Sequence, residues 1–566
     1  MKVFAALIAC CVFIFAAFRP DEPAGYPKPQ DFPITMCGAA FLAGLNFDAP
    51  VSLMDGLGDL HYKITTRDSL AQKFFNQGLR LIYGFNHVEA LRAFKEASRL
   101  DPSCAMAWWG QALTLGPNIN DWNPKDREAM ALEAIAKAKE LSVGSNQKEK
   151  DFILALSSRY DGKVHDDRDP LNVAYRDAME RLAKKYSNDP EALVLYADAI
   201  MTSMPWDYWN KDGSPKALTS LARTALESAI KKYPRHPGAH HMYIHLVEAS
   251  NKPGDAHKSA EFLETAMPSA GHIVHMPSHI YIRVGEYQRS NLTNTLAIKA
   301  DEDFLSGTSD QGLYRSGYYP HNIDFLAFGA LMTGQSQLAI TESNKLAYHV
   351  TGLQKTMPAY YDYYAGSPLI AFVRYGKWKD VLALPLPDDR SYNLSALHRM
   401  ARGLAFVRMK DLTSAKAELS KLDSIHKLDT LKTIYAFFNS TEQIVRVANS
   451  LLKGEIFIHD GKLEEGLSAL RDAVAAEGEL RYNEPPDWRL PARHFLGAAL
   501  YDAGRYAEAV NVYGADLVTN PENVWALRGL ANCQEKTAKP GDVSKTMKRL
   551  ANVSNRADIT ITSSRF

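Results

Sequence analysis

HPGAHHMYIHLVEAS at residues 236–250 and AGHIVHMPSHIYIRVGEY at residues 270–287 decide the fold. His241 recurs as His275, and His245 as His279, each after 34 residues (275 − 241 and 279 − 245). A period of about 34 residues belongs to helix–turn–helix units that stack side by side into a solenoid. Equivalent positions in successive units lie one above the other, so the two His-x-x-x-His pairs are expected to stack. A spacing of four places both members of a pair on one helix face. A repeat that only packs has no use for imidazoles there; a metal site has.

The rest of the chain supports an all-α reading. From residue 66 onward, helical patterns alternate with short turns rich in Gly, Asn and Asp-Pro, and no strand-type alternation persists. Residues 71–104 carry Gly78, Ala90, Phe94, Ala97 and Pro102 where a tetratricopeptide repeat wants small, bulky and proline residues. Residues 490–523 fit best, with Gly497, Leu500, Gly504, Tyr506, Ala509, Tyr513 and Pro521. Residues 237–270 and 271–304 fit more loosely, and weaker repeats fall near 190–234, 320–353, 362–390, 396–425 and 447–480. The expected fold is a tetratricopeptide-type α-solenoid over 66–557, with about nine to twelve repeats. Residues 306–320 and 483–488 (NEPPDW) interrupt the pattern. The first is read either as a surface loop or as a lid over one face.

The two opening phrases, together with YNEPPDWRLPARHFLGAALYDAGRYAEAV at 482–510, resemble a family of exported bacterial tetratricopeptide-repeat proteins. The resemblance covers most of residues 57–540. It implies the solenoid fold and no particular chemistry. In tetratricopeptide proteins the first helix of each repeat lines a concave groove through a fixed set of positions. Carried onto this chain, those positions hold His241, His245 and Glu248 in one repeat and His272, His275 and His279 in the next. His321 and Asp324 fall in a third repeat, and His494 in the repeat at 490–523, with Glu484 just ahead of it.

The constellation reads as a metal site. Of the 17 histidines, six lie in two short segments, 240–245 and 272–279. Helices packed about 8–10 Å apart let imidazoles on neighbours meet at one ion. The candidate ligands are His241, His245, His272, His275, His279, His321, Asp324 and His494, enough for two ions. Imidazoles with a carboxylate suit zinc, copper, iron or nickel, and an exported location puts zinc or copper ahead of iron. Pro277 belongs in a first helical turn, which sets His272 and His275 in the approach to the helix. His240 points elsewhere. The zinc-protease motif is absent, because His241-Met-Tyr-Ile-His245 lacks the interior Glu. Glu248 and Glu484 are the candidate bases of a metal-dependent enzyme, a hydrolase or an oxidase. The competing class is a non-catalytic scaffold whose groove binds a peptide, a small molecule or a partner protein; a third is metal storage or delivery.

Other features bound the function. Lys+Arg and Asp+Glu both number 65, which gives no electrostatic case for nucleic acid. The apolar run 3–18 behind Met1-Lys2 reads as a signal peptide or N-terminal anchor (1–18), and Leu7-Ile8-Ala9-Cys10 matches a lipobox. The expected location is the periplasm, free or membrane-tethered. A linker follows (19–65), and 558–566 form a tail. Cys37, Cys104 and Cys533 make neither a disulfide framework nor a zinc motif and are expected to be core thiols. Tyr360, Tyr361, Tyr363 and Tyr364 pack in the core or line the groove. Trp108 is expected in the core with Trp109 toward the groove, and 116–122 is expected to break a helix or touch a ligand.

Overall fold

The computed structural model describes residues 51–566 apart from 122, 309–311, 356, 389, 538 and 539. The signal or anchor segment, the lipobox, Cys37, the linker before residue 51 and Trp122 lie outside the described residues. Helices follow one another in antiparallel pairs, beginning with Ser69–Tyr83 and His87–Leu100 and ending with Val524–Thr537 and Pro540–Val553. Among the described residues there is no β-strand, only three isolated bridges. The fold is a tetratricopeptide-type α-solenoid.

Local chemistry sets the boundaries. The Asp68 carboxylate accepts from the Leu70 and Ala71 amides and opens the first helix. Asp189 and Pro190 open Pro190–Ser203 in the same way. Gly285 and Gly334 close their helices in the left-handed region (φ 83° and 74°). Between helices, bulky residues seat on glycines. The Phe94 ring lies between Gly78 and Gly110, and the Tyr513 ring between Gly497 and Gly529. Both arrangements span 16 residues on either side (94 − 78, 110 − 94; 513 − 497, 529 − 513), so the first and last repeats use one packing device. With Gly110 seating Phe94, the helix Ala105–Leu115 turns Trp109 inward, against Phe75 and Phe152 (centroids 6.5 and 6.0 Å). Trp109 is therefore buried in the core rather than turned to a groove as expected, and Trp108 packs half-buried against the same core.

The superhelix winds tightly enough to touch itself. Residues 51–65 run along the first repeat, where Gln77 and Gln72 side chains accept from the Met54 and Ile64 amides. They also reach the His-bearing repeats, since the Ser269 amide donates to the Gly56 carbonyl (3.0 Å). Helix Ser69–Tyr83 packs on helix Pro237–Val247, with the Tyr83 ring against Gly238. At the far end, Trp525 donates to the Leu331 carbonyl (2.7 Å) and Arg374 to the Ser564 carbonyl (3.2 Å). Residues 558–566 pack back against the middle repeats, with Ser564 buried and the Asp558 carboxylate capping Ser336 and Gln337. The concave side expected as a groove is thus drawn into the interior.

A Cβ built on Gly238 would stand 2.3 Å from the Tyr83 ring. Gly238→Ala is expected to cost about 1–3 kcal/mol of unfolding free energy, as overpacking does. Denaturant titration checks this; an unchanged midpoint would show that the Tyr83 contact does not hold the coil closed.

Candidate metal centre

Four chain segments meet at the centre. Helix Pro237–Val247 supplies His241 and His245, and Glu248 caps it. The short helix Gly271–His275 supplies His272 and His275. Pro277 cannot donate backward, so a new helix, Pro277–Val284, begins there and carries His279. Helix Tyr319–Thr333 adds His321, and the 483–488 break brings Glu484. His241, His245, His272, His275 and His279 are all 5 % exposed or less, and Glu248 and Glu484 are buried with them.

The side chains form two histidine triads, His241/His245/His272 and His275/His279/His321, with Glu248 between His245 and His279. Within the first triad His241 Nε2 and His272 Nε2 are 3.2 Å apart. Within the second, His275 Nε2 and His279 Nε2 are 2.8 Å apart. Two nitrogens bonded to one ion at about 2.0–2.1 Å stand about 2.9–3.4 Å apart for right-angle to tetrahedral geometry.

The outward ring nitrogens are held by acceptors. His241 Nδ1 donates to the Tyr83 carbonyl (2.6 Å). His275 Nδ1 donates to Asn294 Oδ1 (2.6 Å), and the Asn294 amide nitrogen donates to the Ser290 carbonyl (2.8 Å), which fixes the amide orientation. His245 Nδ1 faces Glu248 (3.3 Å). His279 Nδ1 faces Glu248 (2.7 Å) and Glu484. Four rings therefore keep Nδ1 toward an acceptor and turn Nε2 inward, the arrangement of a ligating histidine with its orienting partner. Several buried polar atoms in the same place make no hydrogen bond among the described residues: His245 Nε2, His272 Nδ1 and Glu484 Oε1, together with His279 Nδ1, Glu248 Oε2 and Glu484 Oε2, which meet one another only as ion pairs.

Burial, reinforced by neighbouring imidazoles, holds His241, His272, His275 and His321 well below the ordinary histidine value. His279 goes the other way: burial opposes its charge, but Glu248 and Glu484 override it and raise the ring. Glu248 is held low by His279 and His245 against the effect of burial, while burial and Glu248 push Glu484 up. A charged His279 explains the short contact to His275. The contact between His241 and His272 fits a hydrogen bond between neutral rings, with His272 Nε2–H donating to His241 Nε2, and equally fits two nitrogens turned toward one cation.

Aromatic residues wall the centre. Phe85 lies against His241, His272 and His245 (4.4, 5.2 and 5.8 Å), and Trp206 meets His245 edge-on (5.3 Å). Both have positive φ (54° and 60°), a strained state for bulky residues. A cavity of about 660 Å³, its mouth included, adjoins His245, His272, His279, His321, Glu248 and Glu484. The 306–320 insertion contributes to its wall, with Tyr318 against His272 (4.6 Å). Asn120 of the 116–122 stretch and Tyr360 of the tyrosine cluster also line it, while Tyr364 is core.

Two expected ligands are elsewhere. Asp324 is paired with Arg489 (2.9 Å), which also donates to Tyr363 and Ser367. His494 is bonded to Asp516 (3.0 Å), itself held by Asn520 and Asn523. Each belongs to a network of its own, so neither joins the triads. His240 bonds Ser259 and the Pro234 carbonyl, away from the centre. Asn294, Phe85 and the Tyr83 carbonyl were not picked out by sequence, because none carries a ligand-type side chain.

No family model matches the chain, and no curated relative does. Among solved structures, the APC/C hetero-tetramer Cut9–Hcn1 aligns at 11% identity and a TM-score of 0.28, over 86% of this chain and 74% of that one. The human IFIT1 dimer with m7Gppp-AAAA aligns at 11% and 0.32, over 88% and 92%. Yeast Tom70 aligns at 10% and 0.30, over 78% and 91%. At TM-scores this low the likeness carries no argument about function.

The depressed histidines make a signed prediction. Neutral when folded, His272 takes up a proton only on unfolding, so its stability contribution is full above pH 6.5 and lost as pH falls below it. In metal-free protein, His272→Phe should therefore gain about 1 kcal/mol relative to the parent between pH 6.5 and 5.5. Paired chemical unfolding at the two pH values measures it. A pH-independent difference would mean that His272 is not held neutral.

Proposed function

We propose that the chain is a metalloprotein whose interior triads hold divalent transition-metal ions, up to one per triad, and present them to a small-molecule cavity. The observation that carries the reading is the set of rings turned Nε2-inward by acceptors on Nδ1, with orphaned His245 and His272 nitrogens beside them. Three imidazoles per ion leave an open position, the pattern of catalytic rather than closed structural sites. His245, His272, His279 and His321 all border the cavity, so that position faces it. A metal-dependent reaction on a small molecule is the function this geometry suits. In it, Glu248 and Glu484 hold the Nδ1 atoms of ligating histidines, a positioning role.

All-imidazole donors suit zinc or copper, with iron next. On the strength of the apolar run 3–18 we also propose export. A scaffold that binds a peptide or partner protein is compatible with the fold, but leaves the convergent imidazoles without a purpose.

Elemental analysis of purified protein, before and after dialysis against zinc and copper, is the test. At least one ion per chain is expected, lost in a His241→Ala/His275→Ala double variant that retains its helical circular dichroism. Asn294→Ala, which removes no ligand, should weaken metal affinity about 10–100-fold by freeing the His275 ring. A folded parent that takes up neither metal overturns the reading.

A further inference from the structure

Six aromatic side chains from five separate parts of the chain, Trp206, Tyr318, Tyr360, Phe437, Phe438 and Tyr482, face the cavity beside the triads. Four of them contact one another in pairs around the space. Phe437 meets Tyr360 (4.9 Å), and Phe438 meets Trp206 (6.0 Å). Their positions are fixed from behind. Trp206 is held in its left-handed backbone state and donates Nε1 to the Ile119 carbonyl (2.9 Å). The turn that carries both phenylalanines is closed by the bridge between Tyr435 and Ser440. Aromatic faces and edges make oriented contacts with a planar π-system that a saturated ring of equal size cannot make. In an apolar cavity a few polar groups fix the orientation of a bound small molecule.

The polar side of the cavity is selective as well. Glu484 lines it, and its Oε1 is buried without a hydrogen-bond partner among the described residues. A carboxylate oxygen in that state accepts from an O–H or N–H donor. No lysine or arginine is among the described residues that line the cavity, so no side-chain cation there would neutralise a phosphate or a free carboxylate.

We propose that the cavity binds a planar aromatic small molecule bearing an O–H or N–H donor, its ring among the six aromatic walls and its heteroatom toward Glu484 and the histidine triads. The inference names the substrate class of the metal centre and rests on that reading for its metal-facing half, whereas the aromatic half stands on the walls alone.

The test uses 2-naphthol, naphthalene and decahydro-2-naphthol as probes, titrated calorimetrically into the full-length protein with its zinc content measured in parallel. 2-Naphthol should bind at least about tenfold more tightly than its saturated analogue, several oriented aromatic contacts being lost together. It should also bind more tightly than naphthalene, which lacks the donor. Phe438→Ala and Tyr482→Ala, both at half-buried positions, should each weaken 2-naphthol about fivefold or more with zinc content unchanged. Equal affinity for 2-naphthol and its saturated analogue overturns the proposal, as does unchanged affinity in both folded variants. Normal zinc content with that result leaves the metal reading standing. Absence of zinc with the aromatic preference intact overturns the metal reading and supports the pocket.

Discussion

The structure depends on how closely the turn after the first helix approaches helix Pro237–Val247. The Tyr83 ring seats on Gly238, its hydroxyl donates to the buried Glu191, and its carbonyl accepts from His241 Nδ1 (2.6 Å). Two residues later the backbone turns through positive φ at Phe85, which lays that ring over His241, His245 and His272. One contact therefore closes the coil, sets the His241 tautomer and covers the first triad. Closing the coil removes water, and burial then holds His241, His272, His275 and His321 in the neutral form that a metal requires. An open tetratricopeptide groove would leave the same rings solvated and free to protonate.

What was legible in the sequence was whatever repeats. The 34-residue offset placed His241 and His245 beside the His275 segment, and the glycine and aromatic positions gave the helical pairing. What was not legible depends on contacts between distant repeats. Asp324 and His494 satisfy the same positional rule as the triad histidines, yet Arg489 and Asp516 reach them first. Glu484 reaches His279 because small rotations between repeats add up over two hundred residues, and no local pattern encodes that sum. The same curvature turned the expected groove into an interior cavity. Trp109 shows the limit on a smaller scale: the phase of its helix follows from where Phe94 finds a glycine, one helix away.

Charge adds a constraint that position alone does not. The triads are imidazoles, all but His279 held toward the neutral form, and the acids that contact them are Glu248 and Glu484. In the metal-free centre those carboxylates flank a charged His279. Ligation through Nε2 requires His279 to give up that proton, after which two carboxylates face the incoming charge. One divalent ion is then balanced within the buried centre. A second would bring uncompensated charge into a low-dielectric interior, where unpaired ions are costly. It becomes favourable only with an added anionic donor, such as hydroxide or the oxygen of a ligand, and the open positions and the cavity lie where such a donor would enter. On the proposed metal reading, occupancy of the second triad would thereby be coupled to what occupies the cavity, because both would draw on one balance of charge.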